Sequence, residues 1–176
     1  MKDYLVDYKR LEGQGHKKYL YFFYRWFRKA QNCKFKISRN FYRMLFRLHA
    51  DRHHLEIYTS TQVGLGLCIW HPYNITISKG SIIGKNCTLN RGVLIGREFR
   101  GKRNGNPTIG NEVWIGANAA IVGKITIGNN VLIAPNSFIN CDVPDNSTVF
   151  GNPCVIKENT EGSRYYCQNI DKEARV

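Results

Sequence analysis

The chain has 176 residues, 43% of them hydrophobic, enough for one domain with a real core and too many for wholesale disorder. It carries 26 Lys and Arg against 13 Asp and Glu, a net charge of +13, and no apolar run approaches the roughly 18 residues of a membrane-spanning helix. The 6 cysteines are scattered and form no Cys-x-x-Cys pair, which argues against a disulfide scaffold or a zinc site.

The charge is uneven. Residues 1–60 hold 14 basic and 5 acidic side chains, a net of +9, and residues 61–176 hold 12 and 8, a net of +4. A basic first third suits nucleic acid, an anionic membrane surface or an acidic ligand. No nucleic-acid-binding motif accompanies it, so nucleic acid is not an expected partner. The opening residues include Lys2, Asp3, Asp7, Lys9 and Arg10 and no apolar signal core, so the expected location is cytoplasmic or peripheral at the inner face of the membrane.

Two helices are predicted in a basic, aromatic-rich N-terminal region, 1–60. One covers 17–31 (KKYLYFFYRWFRKAQ). The other covers 39–50 (RNFYRMLFRLHA), with Phe41, Met44, Leu45 and Leu48 on one face. Both are expected to pack on the rest of the protein. The aromatics of the first exceed what one buried face needs, and core or subunit packing is preferred for them over interfacial membrane contact.

Downstream the pattern changes to a period of six. Ile77, Ile83, Leu89 and Ile95 stand six apart, and the series resumes at Ile109, Ile115, Ile121, Ile127, Ile133 and Ile139. Helices repeat at three and four residues and plain strands at two, so neither fits. Each hexad offers a short strand with two inward residues and then a turn. Stacked hexads form a solenoid around an aliphatic column. Ile95 to Ile109 is fourteen residues where one hexad needs six, so eight residues leave the coil in an inserted loop, 97–106. That loop carries Arg97, Arg100, Lys102 and Arg103, which suits an arm over an anionic ligand. The repeat domain is expected over 61–156, with a C-terminal tail over 157–176 that is loose or swapped.

The hexad array, the inserted loop, PTIGNEVWIGANAAIVGKITIGNNVLIAPNSF and the closing DVPDNSTVFGNP together resemble hexapeptide-repeat acetyltransferases. Around His71 the resemblance is closest to serine O-acetyltransferases and the related O-acetyltransferases of polysaccharide biosynthesis. It implies a mainly β protein, a left-handed parallel β-helix of hexapeptide repeats behind a short N-terminal helical region. It also implies acetyl-CoA as co-substrate, a homotrimer and no metal. A carbonic-anhydrase-like metal site would need three histidines, and the repeat region holds only His71.

By this resemblance His71 is the general base, taking the proton of an attacking hydroxyl and passing it to the thiolate. The alternative is a packing role, since strict hexad phase points position 71 inward. Serine acetyltransferases carry an Asp directly before this His and a second His at the end of the loop; here these are Trp70 and Asn106. Trp70 and Tyr73 are then expected at the acceptor, with Asn106 as a hydrogen-bonding partner in catalysis. The cofactor groove is expected along Gly96, Gly116, Ala117, Ala134 and Pro135, with Arg97, Arg103 and Lys124 near its phosphates. Trp114 is expected to flank the cofactor or line the trimer interface.

The expected reaction is acetyl transfer to a saccharide hydroxyl, without an acyl-enzyme. The alternatives are serine O-acetylation, N-acetylation of an amino sugar, and a non-enzymatic scaffold.

Overall fold

A computed structural model describes residues 3–11, 17–167 and 170. Three helices precede the strands: α1 (Asp3–Lys9), α2 (Lys17–Asn32) and α3 (Lys36–Asp51). The sequence reading missed α1, because seven residues show too little periodicity and cannot hold a helix alone. Tertiary contacts hold it. Buried Asp7 receives the Arg28 guanidinium at 2.7 and 3.0 Å and the backbone N–H groups of Gly66 and Leu67 at 2.8 and 3.0 Å. Burial raises the Asp7 carboxyl above its ordinary value, and Arg28 with the two N–H groups pulls it back. Arg10 donates to Cys87 O at 3.0 Å and Thr88 Oγ1 at 3.1 Å, tying the end of α1 to the second coil.

On α2, Leu20, Phe23, Tyr24 and Phe27 are buried at helical spacing and Tyr19, Tyr21 and Trp26 pack half-buried against the core, so most of its aromatics serve the core. On α3 the expected packing face is turned outward: Phe41, Met44 and Leu48 are exposed. The helix is anchored from its other side, where Phe46 meets Phe23 and Phe27 at ring distances of 5.1 and 5.3 Å.

The strands wind in coils. The first holds β1 (Leu55–Ile57), β2 (Gln62–Val63) and β3 (Cys68–Ile69), and the second β4 (Ile75–Ile77), β5 (Ile82–Ile83) and β6 (Thr88–Leu89). The third holds β7 (Leu94–Gly96), β8 (Thr108–Ile109) and β9 (Trp114–Ile115). The fourth holds β10 (Ala120–Val122), β11 (Thr126–Ile127) and β12 (Leu132–Ile133), and the last β13 (Phe138–Ile139) and β14 (Thr148–Phe150). Antiparallel β15 (Val155–Lys157) closes the end on β14. Stacked parallel strands form three faces: face A is β1-β4-β7-β10-β13, face B is β2-β5-β8-β11, and face C is β3-β6-β9-β12-β14 with β15.

All ten hexad positions are buried, and the aliphatic column fills the middle. The solenoid begins one coil earlier than the period alone shows, at Leu55 rather than 61. Ile57, Val63 and Ile69 are in phase with one another, but Ile69 to Ile77 is eight residues where a hexad has six. That two-residue excess hides the first coil from a six-residue count.

Face C is covered. Tyr24 Oη accepts the Ile69 N–H at 2.9 Å beneath α2, and residues 158–167 fold back so that Tyr166 meets Trp114 at 5.0 Å. Faces A and B keep exposed aliphatics, Leu94 and Ile82.

Candidate active site

The two excess residues lie at the corner between faces C and A. Regular coils cross it with three residues: Asn90-Arg91-Gly92, Gly116-Ala117-Asn118 and Ala134-Pro135-Asn136. The first crossing uses five, Trp70 to Asn74. Backbone hydrogen bonds fix the alignment. Trp70 N–H reaches Leu89 O at 2.8 Å as Asn90 N–H reaches Ile115 O at 3.1 Å, and Gly92 N–H reaches Tyr73 O at 3.0 Å as Asn118 N–H reaches Arg91 O at 3.0 Å. The insertion is therefore His71-Pro72. Asn74 at φ 53° occupies the ordinary left-handed corner position, and His71 at φ 54° is an additional one. Left-handed backbone costs a non-glycine residue about 1 kcal/mol, and Pro72 disfavours the right-handed helical alternative. The corner bulges and His71 is exposed, so the inward packing role does not hold.

Tyr73 is 56% exposed, and its ring meets His54 edge-on at 5.2 Å. The sequence reading passed over His54 because it precedes the repeat. It also passed over Arg91, which lies at the corner position directly above Tyr73 and is exposed. Trp70 is half-buried against the core, with its indole at the Cys68 thiol. The expected stacking platform thus partly serves packing.

The same corner continues past Gly116, Ala117, Ala134 and Pro135, so the structure brings these four into one column with His71 and Tyr73. A side chain at Gly116 would meet Pro135 N at 2.5 Å, so close stacking of coils already requires glycine there. The N–H groups of Gly116 and Ala134 are used in the ladder, to Ile133 O and Val149 O at 2.8 Å each. These two N–H groups are therefore taken up by the coil stacking. Ala117 has no ladder bond from its N–H among the described residues.

Asn106, Gly96, Arg97, Arg103 and Lys124 lie at a different corner, between faces A and B. Asn106 Oδ1 accepts the Ser78 hydroxyl at 2.6 Å, which braces the loop's return to β8. The loop is a small ordered flap. Glu98 and Gly105 exchange backbone bonds at 3.0 and 2.9 Å, one 3₁₀ turn spans Gly101–Arg103, and Arg103 O accepts Lys124 N–H at 2.9 Å. The Arg97 guanidinium lies 5.1 Å from the Phe99 ring centre. Beneath the flap is an open cleft of about 400 Å³, with Arg100, Lys102 and Arg103 above and Val122, Phe138 and Asn140 below. Within one chain His71 and Asn106 are not brought together.

Trp114 belongs to neither corner. It lies on face C under Tyr166, with its indole nitrogen buried and unpartnered among the described residues. Sequence could not show this cover, because Tyr166 is 52 positions away. Burial pushes the Cys68 thiol up to about 11 and the Cys87 thiol up to about 12, so neither is a thiolate nucleophile near neutral pH. Among the described residues no group of three His, Cys, Asp or Glu side chains could hold a metal ion.

The repeat at 106–141 matches the family described as bacterial transferase hexapeptide (six repeats). The chain is a hexapeptide-repeat solenoid resembling serine O-acetyltransferases. It is 37% identical over 99 residues to the serine acetyltransferase of Helicobacter pylori, covering 55% of this chain and 57% of that one. With the serine acetyltransferase of Synechococcus elongatus it shares 36% over 126 residues, 69% of this chain and 51% of that one. It thus spans about half the length of these relatives. In structure it superimposes on the Neisseria gonorrhoeae serine acetyltransferase in complex with serine at a TM-score of 0.72, with 25% identity, covering 88% of this chain and 67% of that one.

Proposed function

We propose that the protein is an acetyl-CoA-dependent O-acetyltransferase with His71 as general base and serine as acceptor. The observation that carries this is the two-residue insertion that displays His71 at the head of a column of small corner residues. The serine acetyltransferase relatives supply the acceptor, and the Neisseria gonorrhoeae structure holds serine itself.

His71 takes the acceptor hydroxyl proton as the oxygen bonds to the acetyl carbonyl carbon. The thioester C–S bond then breaks, and the imidazolium returns the proton to the departing thiolate. No acyl-enzyme forms, in keeping with the protonated state of the buried thiols. The column at Ala117 and Pro135 supports the pantetheine chain, and Arg100, Lys102 and Arg103 face the phosphates. The His71 corner and the basic flap are different corners of one chain. They form one groove only where a second copy stands beside the first, and the exposed Leu94 and Ile82 favour a trimer with that contact.

A second reading is transfer to an uncharged hydroxyl such as that of a saccharide. It is favoured by Trp70 at the His71 corner, which cannot hold a serine ammonium by charge. Thiol release from acetyl-CoA with serine, amino sugars and neutral saccharides separates the two. Turnover with serine supports the first and saccharide-only turnover the second. Turnover with none, together with no acetyl-CoA binding, overturns both.

A further inference from the structure

The largest unexplained surface is the outer side of α3. Ile37, Phe41, Met44 and Leu48 fall within one narrow stripe of the helix and are 86%, 52%, 53% and 61% exposed. Phe35, the extended residue just before the first turn, is also 78% exposed. These are large apolar side chains in a continuous row, not scattered surface residues. The core does not need them, because α3 is held by Phe46 and Ala50 on its other side.

One flank of the stripe is cationic. Lys36, Arg43 and Arg47 are exposed along it, with Lys34 just before the helix; Arg43 Nε also donates to Thr59 Oγ1 at 3.2 Å, and the one acidic residue of the helix is Asp51 in its last turn. We infer that α3 docks the protein on an anionic lipid surface, with the apolar stripe in the headgroup boundary and the flanking cations on lipid phosphates. Charge decides the occupant. Two copies packed stripe to stripe would bring two such cationic flanks together, in a chain already at +13, whereas an anionic bilayer complements both parts of the surface. The contact is interfacial, because among the described residues no helix is long and apolar enough to cross a membrane. It is independent of the acetyl-transfer reading, since no residue of α3 is among those assigned to the acceptor or to acetyl-CoA.

The test is flotation of the full chain with vesicles of phosphatidylcholine and phosphatidylglycerol in equal parts, against phosphatidylcholine alone. The combined I37S, F41S and L48S variant is run beside it, with its thermal midpoint measured. Expected are binding to the anionic vesicles, weakening with added salt, and a loss of about tenfold or more in the variant at an unchanged midpoint. A second variant, K34E, K36E and R47E, is expected to lose binding while keeping the stripe. Three results overturn the inference: no flotation of the parent chain, flotation undiminished in the stripe variant, or a larger assembly that the stripe variant dissolves without any lipid binding. The last would assign the stripe to a second copy of the chain.

Discussion

The regular coils and the two interrupted corners are built from one repeat and do opposite work. In the coils one inward position of each hexad is an aliphatic side chain covered by its neighbours, the other is mostly small or apolar, and the backbone of one coil lies on the next. A side chain at Gly84, for example, would meet Gly110 O at 2.4 Å. Nothing inside the coils is free to meet a substrate. At the interruptions the chain leaves this stacking, by two residues at His71-Pro72 and by eight at the basic flap. The short interruption fixes one imidazole through backbone geometry alone. The long one has to stabilise itself, through the Glu98–Gly105 pairing and the Ser78–Asn106 brace. A solenoid thus separates stability from chemistry, and the two should fail independently.

The sharpest break of that comparison is His71→Ala. Acetyl transfer is expected to fall by about 10²–10⁴-fold, while the thermal midpoint stays put because the side chain is exposed. An active variant would remove His71 from the mechanism. Ile121→Ala should do the reverse. It lies fully buried between Ile95 and Ile139, and its truncation is expected to remove about 2–5 kcal/mol in denaturant titrations. A loss well under that range would mean the column is less tightly packed than the stacking implies.

Replacing Arg100, Lys102 and Arg103 together by Gln should raise KM for acetyl-CoA about tenfold and flatten its salt dependence, with kcat and stability little changed. An unchanged KM would detach the flap from the cofactor. The smallest effect concerns alkaline pH. Burial holds the Cys68 and Cys87 thiols up to about 11 and about 12, against an ordinary 9.0. Above pH 9.0 the unfolded chain releases protons that the folded one keeps, so stability should fall as pH rises from there. The Cys68→Ala/Cys87→Ala variant should show a shallower decline in a pH series of denaturant midpoints, and an identical slope would place the alkaline sensitivity elsewhere.

The ten-position hexad column was readable because one of the two inward positions of each hexad is Ile or Leu at every turn. The inserted loop was readable as the remainder of that count. The first coil was not, because two extra residues shift its phase. The same shift reversed the expected direction of His71, which hexad counting points inward and the bulged corner turns out. Sequence identified His71 and the basic loop as unusual, expected His71 and Asn106 to act together, and left Trp114 between the cofactor and the trimer interface. Winding separates them onto a brace, a covered face and an exposed corner.

What the sequence by itself determined is the repeat, its interruptions and the types of residue they carry, since these follow from local spacing and the demand for an apolar interior. What only the tertiary structure decided is which corner each interruption occupies and which side of each helix is covered. Those depend on how residues far apart in the chain stack. Tyr166 covers Trp114, Asp7 and Arg28 clamp the helices to the first coil, and Phe46, rather than the row from Ile37 to Leu48, turns α3 toward the core.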